Sequence, residues 1–249
     1  MAKKTSKKTS ASRKKANTPI SLLKRIGKYL LKCLIWFIIL TVAWVVLLRF
    51  VPVYYTPLMF IRLGEQIKTG KTIKMEHDWV SIDEINPNMV NAVIASEDNL
   101  FLKHNGFDLN GIVKAYENNQ KRKKMRGGST ISQQTAKNTF LFPSRTWLRK
   151  GLETYFTVLI ELCWTKERIM EVYLNVIETG DGIYGVEAAA QHYFNKSAAK
   201  LTKSEAALLA VTLPNPRKFS ASKPSSYTKK RQTKILRLMN LIGNQKFDK

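Results

Sequence analysis

Asn86-Pro87-Asn88-Met89-Val90-Asn91-Ala92-Val93-Ile94-Ala95-Ser96-Glu97-Asp98-Asn99-Leu100-Phe101-Leu102-Lys103-His104-Asn105-Gly106 is the stretch on which the reading of this chain turns. Asn86 can cap a helix, and Pro87 suits its first position, where a missing N–H is no loss. Val90, Val93 and Ile94 then share one helical stripe, and the next position along it is Glu97. Two readings of that carboxylate stand. Buried in the stripe, it has its charged form disfavoured and its pKa raised, which suits proton transfer. At a helix end, facing water or paired with Lys103 or a distant Arg, it is an ordinary surface group.

Upstream, Cys33 to Leu48 is sixteen residues without a charge. With Tyr29–Leu31 before it and Phe50–Val53 after it, the run reaches spanning length. Arg49 can snorkel from an end, and Tyr54 and Tyr55 follow at interface depth. Residues 1–28 are rich in Lys, Ser, Thr and Ala and are expected to be a disordered tail. Ala43–Leu48 offers no small-residue cleavage site, so the run reads as an uncleaved anchor over 29–53. The positive-inside rule keeps the tail cytoplasmic and sends the chain after about residue 55 outward. A mixed connector, 54–86, follows.

Charge supports this division. The 249 residues carry a formal net charge of +24, and residues 1–64 hold 13 Lys/Arg and no acid. Nucleic acid, a membrane surface or a phosphorylated ligand would each suit such a chain. Cys33 and Cys163 lie far apart, and His77, His104 and His192 are scattered. No disulfide framework or zinc spacing is present.

Downstream the patterns are helical almost throughout 87–216. Asp108 can cap a helix bearing Leu109, Ile112, Val113 and Tyr116. A basic run, Lys121 to Arg126, leads into Gly127-Gly128-Ser129-Thr130. Thr130 and Gln133 fit a capping box, and two glycines before a helix start can turn N–H groups toward an anion. The helix from Ile131 to Asn138 is too polar to be expected in a core. The Gly-Gly pair and basic cluster favour phosphate or pyrophosphate binding over a merely solvated face. Further helices are read from Leu148, Thr165, Val186 and Thr202, the last stopped by Pro214 and Pro216. Residues 217–249 are basic, with Ile235, Leu238, Met239 and Ile242 at helical spacing. That segment either docks on the domain or lies at lipid headgroups.

These residues also carry a resemblance. Glu97-Asp98-x-x-Phe101-x-x-His104-x-Gly106 resembles the first signature of the peptidoglycan glycosyltransferases, family 51. Gly128-Ser129-Thr130-Ile131-x-Gln133-Gln134-x-x-Lys137-Asn138 resembles the second, and Arg149-Lys150-x-x-Glu153 the third. Lys166 through Asn175 resembles the fourth, and Gly182 through Phe194 the fifth. The order is the family's, and the short length is similar to its monofunctional biosynthetic branch, without a transpeptidase domain. One departure is Asn195-Lys196, where the family commonly has Gly-Lys; Asn tolerates the left-handed conformation, so the turn should survive.

The resemblance implies a mainly α fold: a lysozyme-like helical glycosyltransferase domain with a small membrane-proximal subdomain, behind one transmembrane helix. It implies polymerisation of lipid II into β-1,4-linked glycan, with inversion and release of polyprenyl pyrophosphate. It makes Glu97 the general base and places Glu153 at the donor side, assisting the leaving group or holding a cation. It puts Asp98, Phe101, His104, Arg126, Gly128, Ser129, Thr130, Gln133, Gln134, Lys137, Asn138, Arg145, Arg149 and Lys150 at or beside substrate. No residue is assigned as a metal ligand; a divalent cation, Mg or Mn, is the candidate cofactor. The implied partners are lipid II, the lipid-linked glycan, the membrane and other wall-synthesis or division proteins, with no nucleic acid. The implied location is the bacterial cytoplasmic (inner) membrane, with the catalytic domain on the outer side. The residues alone agree on the chemistry: inversion needs a base on one face, and a pyrophosphate leaving group needs cations on the other. A hydrolase of the same glycan and an inert scaffold are the alternatives; a neutral glycosidic bond would need no pyrophosphate pocket.

Overall fold

The computed structural model describes residues 19–109, 111, 128–144 and 146–247. The first part of the expected tail, the helix and basic run over 112–126 with Arg126, Gly127, and Arg145 lie outside the described residues. The chain divides into two compact units, 1–44 and 45–249.

Helix α1 (Pro19–Leu47) begins well ahead of residue 29, inside the stretch expected to be disordered. Lys and Arg are good helix formers, so the basic residues before the apolar run extend the helix rather than stop it. Its Leu23–Leu47 portion has mean hydropathy 2.5 and is almost wholly exposed, and it is long and apolar enough to cross a membrane.

The second unit starts with Val45, whose carbonyl accepts the Trp164 indole N–H at 2.8 Å. Leu48 O accepts the Arg168 guanidinium at 2.9 Å. The expected connector contains a helix of its own, α2 (Pro57–Lys68), capped by Thr56 and holding Met59 and Gln66 buried. Helix α3 (Pro87–Glu97) is capped by Asn86 as its sequence indicates, but Met89 to Ala95 are all buried. It is enclosed on more than one side, because α8 (Lys203–Thr212) and α9 (Ser226–Ile242) both pack on it.

Helix α4 (Ile131–Phe140) corrects the expectation that so polar a helix stays out of the core. It lies between α5 (Trp147–Cys163) and α6 (Lys166–Val176), with seven of its ten residues buried. Its polarity is tolerated because the buried groups find partners. Thr135 Oγ1 donates to Ile131 O at 2.9 Å, and Ser132 donates to Glu161.

Short strands β1 (Glu76–His77), β2 (Glu178–Gly180) and β3 (Ile183–Tyr184) form a sheet in the order β1-β3-β2, parallel then antiparallel. The glycine-rich turn joins β2 to β3. Gly182 sits at φ +74°, where a Cβ would come within 2.3 Å of Lys74 O. Helix α7 (Val186–Phe194) follows, and Asn195 ends it at φ 57°, ψ 42°, the left-handed conformation expected of that departure. Of the two readings of the C-terminal segment, docking is observed. Ile235 and Met239 are buried, Gln232 donates to Ser204 O at 2.8 Å, and Asn91 accepts Gln245 N–H at 2.9 Å.

Candidate active site

Glu97 is the last residue of α3. Its Oε2 accepts Gln134 Nε2 at 3.1 Å. Its Oε1 is buried with no hydrogen-bond partner among the described residues. The buried reading of this carboxylate therefore holds for that oxygen, the residue as a whole being half-buried. Burial raises its pKa, opposed by the Gln134 hydrogen bond and by Arg231 and Lys137, while Asp98 adds to the rise. A free acceptor oxygen on such a carboxylate can take a proton from an approaching hydroxyl.

Asp98 holds the loop that follows. His104 Nε2 lies 3.0 Å from both its oxygens, and its Oδ2 accepts Ile131 N–H at 3.0 Å. The anion at the start of α4 is thus the chain's own carboxylate. Gly106 O accepts Thr130 Oγ1 at 2.6 Å, and His104 O accepts Lys166 Nζ at 2.6 Å. Phe101 is fully buried, with Lys166 Nζ 4.7 Å from its ring centroid. Of the residues expected at or beside substrate, Phe101 packs in the core, and Asp98 and His104 bond each other.

Thr130 and Gln133 are also spent locally. Thr130 N–H donates to Gln133 Oε1 at 3.0 Å, and Gln133 N–H donates to Thr130 Oγ1 at 3.2 Å. The capping box is present as read, but its side chains start the helix rather than face a ligand. Gly128 and Ser129 are exposed, and Ser129 lines a cavity.

Two cavities meet at Gln134. One, of about 720 Å³, is lined by Glu97, Ser129, Gln134, Tyr227, Arg231 and Lys234, among others. The other, of about 470 Å³, is lined by Gln134, Lys137, Asn138, Arg149, Arg62 and Glu178, among others. Pro214 borders both. Glu153 is buried beside the second, and both its oxygens are taken by ion pairs with Arg149 and Lys150. The Lys137 ammonium has no ion pair or hydrogen bond among the described residues. Burial lowers its pKa, Glu153 and Glu97 oppose that, and Arg149 and Lys150 add to it. A desolvated, unpaired ammonium beside two further cations is a strong site for an anion.

Among the described residues no group of three or more His, Cys, Asp and Glu converges, and the Glu153 oxygens are engaged. The cavity walls also hold residues that the sequence reading passed over. Arg62 lay in the assumed connector, and Arg231 and Lys234 were only part of a basic segment. Glu178 is 6% exposed, with Arg62 Nε 3.4 Å from its Oε2. No sequence signal distinguished Glu178 from a turn residue.

A family profile described as Transglycosylase matches residues 64–240. The chain belongs to the transglycosylase family. A protein of Bacteroides thetaiotaomicron named biosynthetic peptidoglycan transglycosylase is 57% identical over 220 residues, 88% of this chain and 89% of its own length. Proteins of the same name from Bdellovibrio bacteriovorus and Caulobacter vibrioides are 51% and 55% identical, over 85% and 77% of this chain and 84% and 81% of their own. The transglycosylase match takes in α3 through most of α9, so the Glu97 cavity falls inside it, as does the Lys137 cavity apart from Leu58 and Arg62.

Proposed function

We propose that this transglycosylase polymerises lipid II into β-1,4-linked glycan with inversion, releasing polyprenyl pyrophosphate. Family membership makes it a glycosyltransferase of peptidoglycan synthesis. One observation carries the finer reading: a carboxylate with an enclosed, unpartnered oxygen, Glu97, and a cation without an ion pair, Lys137, line two cavities that share Gln134 and Pro214.

The 4-hydroxyl of the incoming lipid II gives its proton to Glu97 Oε1 as its oxygen attacks the anomeric carbon of the growing strand. Attack from the Glu97 side drives the diphosphate out on the opposite side, toward Lys137, Arg149 and Lys150, and the configuration inverts. A diphosphate is already a good leaving group, so stabilising its charge matters more than protonating it. Glu153 serves by holding Arg149 and Lys150 in place. Gln134 hydrogen-bonds Glu97 and fixes the direction of its free oxygen.

Helix α1 supports attachment to the membrane in which a polyprenyl-linked substrate is confined. The excess of basic residues ahead of the span supports a cytoplasmic N-terminus, with the catalytic domain on the outer face of the inner membrane. The test is incubation of the full-length protein in detergent with labelled lipid II, followed by sizing of the product. Long glycan strands are expected. Small fragments released from finished wall, with no strand built, would identify a hydrolase instead.

A further inference from the structure

Two of the buried side chains on α6, Tyr173 and Asn175, carry polar atoms among apolar neighbours. Asn175 spends its amide on the backbone: Nδ2 donates to Val80 O at 2.9 Å, and Oδ1 accepts Val80 N–H at 3.0 Å. Tyr173 is 0% exposed, and a Phe would fill the same space without burying a hydroxyl. Its O–H has one partner among the described residues, Gln134 Oε1 at 3.5 Å. Tyr173 lines neither the Glu97 cavity nor the Lys137 cavity, so it does not reach substrate.

The other end of the same amide, Nε2, donates to Glu97 Oε2 at 3.1 Å. Tyr173, Gln134 and Glu97 therefore form a chain across α6, α4 and the end of α3. Both ends ask for one orientation of the amide. A carboxylate only accepts, so Glu97 needs the NH₂ group. Burial pushes the Tyr173 pKa well above its ordinary value, and the charges of Glu97 and Asp98 add to the rise, so the phenol keeps its proton and can give it to the amide oxygen. Turned over, the amide would set Oε1 against Glu97 Oε2, two acceptors face to face.

We propose that Tyr173 is a positioning residue for the proton transfer: its hydroxyl holds the Gln134 amide with Nε2 toward Glu97 and so leaves Glu97 Oε1 as the oxygen for the attacking hydroxyl. This rests on the polymerase reading. Without that hydroxyl the amide turns more freely, and Glu97 is hydrogen-bonded less of the time. Its pKa then climbs, because the Gln134 bond is the largest influence opposing burial. The Tyr173 contact is long, so it directs the amide rather than locking it, and the effect on rate is that of one neutral hydrogen bond.

The experiment follows lipid II polymerisation by full-length Tyr173→Phe across pH, in detergent. Phe keeps the ring in the core, so the fold is retained. A fall in kcat of about 3–10-fold is expected, with KM unchanged and the acid limb of kcat/KM moved to higher pH. The other groups felt at Glu97 are Asp98 in the following loop, Lys137 on α4 and Arg231 on α9, and the substitution alters none of them. Tyr184→Phe is the control. Tyr184 is 1% exposed, and its hydroxyl is buried without a partner among the described residues, so it bonds neither Gln134 nor Glu97; its loss should change neither kcat nor the limb. Gln134→Leu removes the middle of the chain, and adding Tyr173→Phe to it should cost nothing further.

Parental kcat and an unmoved limb in Tyr173→Phe would overturn the proposal. So would a loss matched by Tyr184→Phe, or one that persists in full in the Gln134→Leu background, since either makes the phenol a packing element only. In each of those cases the parent still polymerises and the polymerase reading stands. If the unsubstituted protein built no glycan from lipid II, that reading itself would fall, and this proposal with it.

Discussion

Asp98→Ala separates a carboxylate that holds the site together from one that binds substrate. Its oxygens accept His104 Nε2 and Ile131 N–H, each at 3.0 Å, with Asp98 8% exposed and Ile131 fully buried. A hydrogen bond to a charged group is worth about 1.5–3 kcal/mol, and its removal strands a buried donor. Two such contacts put the loss at roughly 3–5 kcal/mol. For a domain of this size each kcal/mol moves the midpoint by about 2–4 °C, so the thermal midpoint should fall by on the order of 10 °C. Asp98→Asn keeps one acceptor oxygen and should lose about half as much. The assay is thermal unfolding of the full chain in detergent, followed by tryptophan fluorescence, beside lipid II kinetics at a temperature where both variants are folded. The kinetic defect should lie in kcat, because the Asp98 bridge sets where α4 presents Gln134 to Glu97. An unchanged midpoint with a KM raised tenfold or more would refute the reasoning and return Asp98 to the substrate.

Other consequences are as direct. Lys137→Met should lower kcat by about 10²–10³-fold, the scale of a lost transition-state charge contact, whereas Lys103→Met, at an exposed loop position, should leave it unchanged; steady-state kinetics decides. Because burial raises the pKa of Glu97 and a base must be ionised, kcat/KM should fall on acidification through a limb above the ordinary Glu value of about 4.3, read from a pH–rate profile. Stability runs the other way. A raised folded pKa favours the protonated form, so that contribution is full below the unfolded pKa and is lost as pH climbs through the folded one. Glu97→Gln should therefore raise the thermal midpoint at neutral pH. Chelation of divalent cations should cost less than about tenfold in rate, since Lys137, Arg149 and Lys150 supply the charge on the leaving-group side; product sizing with and without chelator checks this.

Local signals announced most of the helices. Asn86-Pro87, the Thr130/Gln133 box and the Thr202/Glu205 box each start a helix where their chemistry says, because a cap is decided by residues three apart. Glu97 was legible as a candidate because it prolongs an apolar stripe. What escaped the sequence depends on contacts between distant segments. The burial of α4 follows from α5 and α6 closing on either side of it. The commitment of Asp98 and His104 to each other, and the use of Asp98 as the anion at α4, follow from a loop folding back on a helix 33 residues away. Arg62, Glu178 and Arg231 reach the cavities only because α2, β2 and α9 meet there, and nothing in their immediate neighbours marks them. Polar residues in a family signature can serve the scaffold rather than the ligand, as Thr130 and Gln133 do.

The account stands on Glu97 taking a proton from the attacking hydroxyl, and single-turnover polymerisation of lipid II by Glu97→Gln tests that most directly. The variant should fold with a higher thermal midpoint at neutral pH, bind lipid II as tightly as the parent, and form the glycosidic bond about 10²–10⁴-fold more slowly, with the acid limb of the rate profile gone. Bond formation at the parental rate, or a slowed rate that keeps the same acid limb, would contradict it.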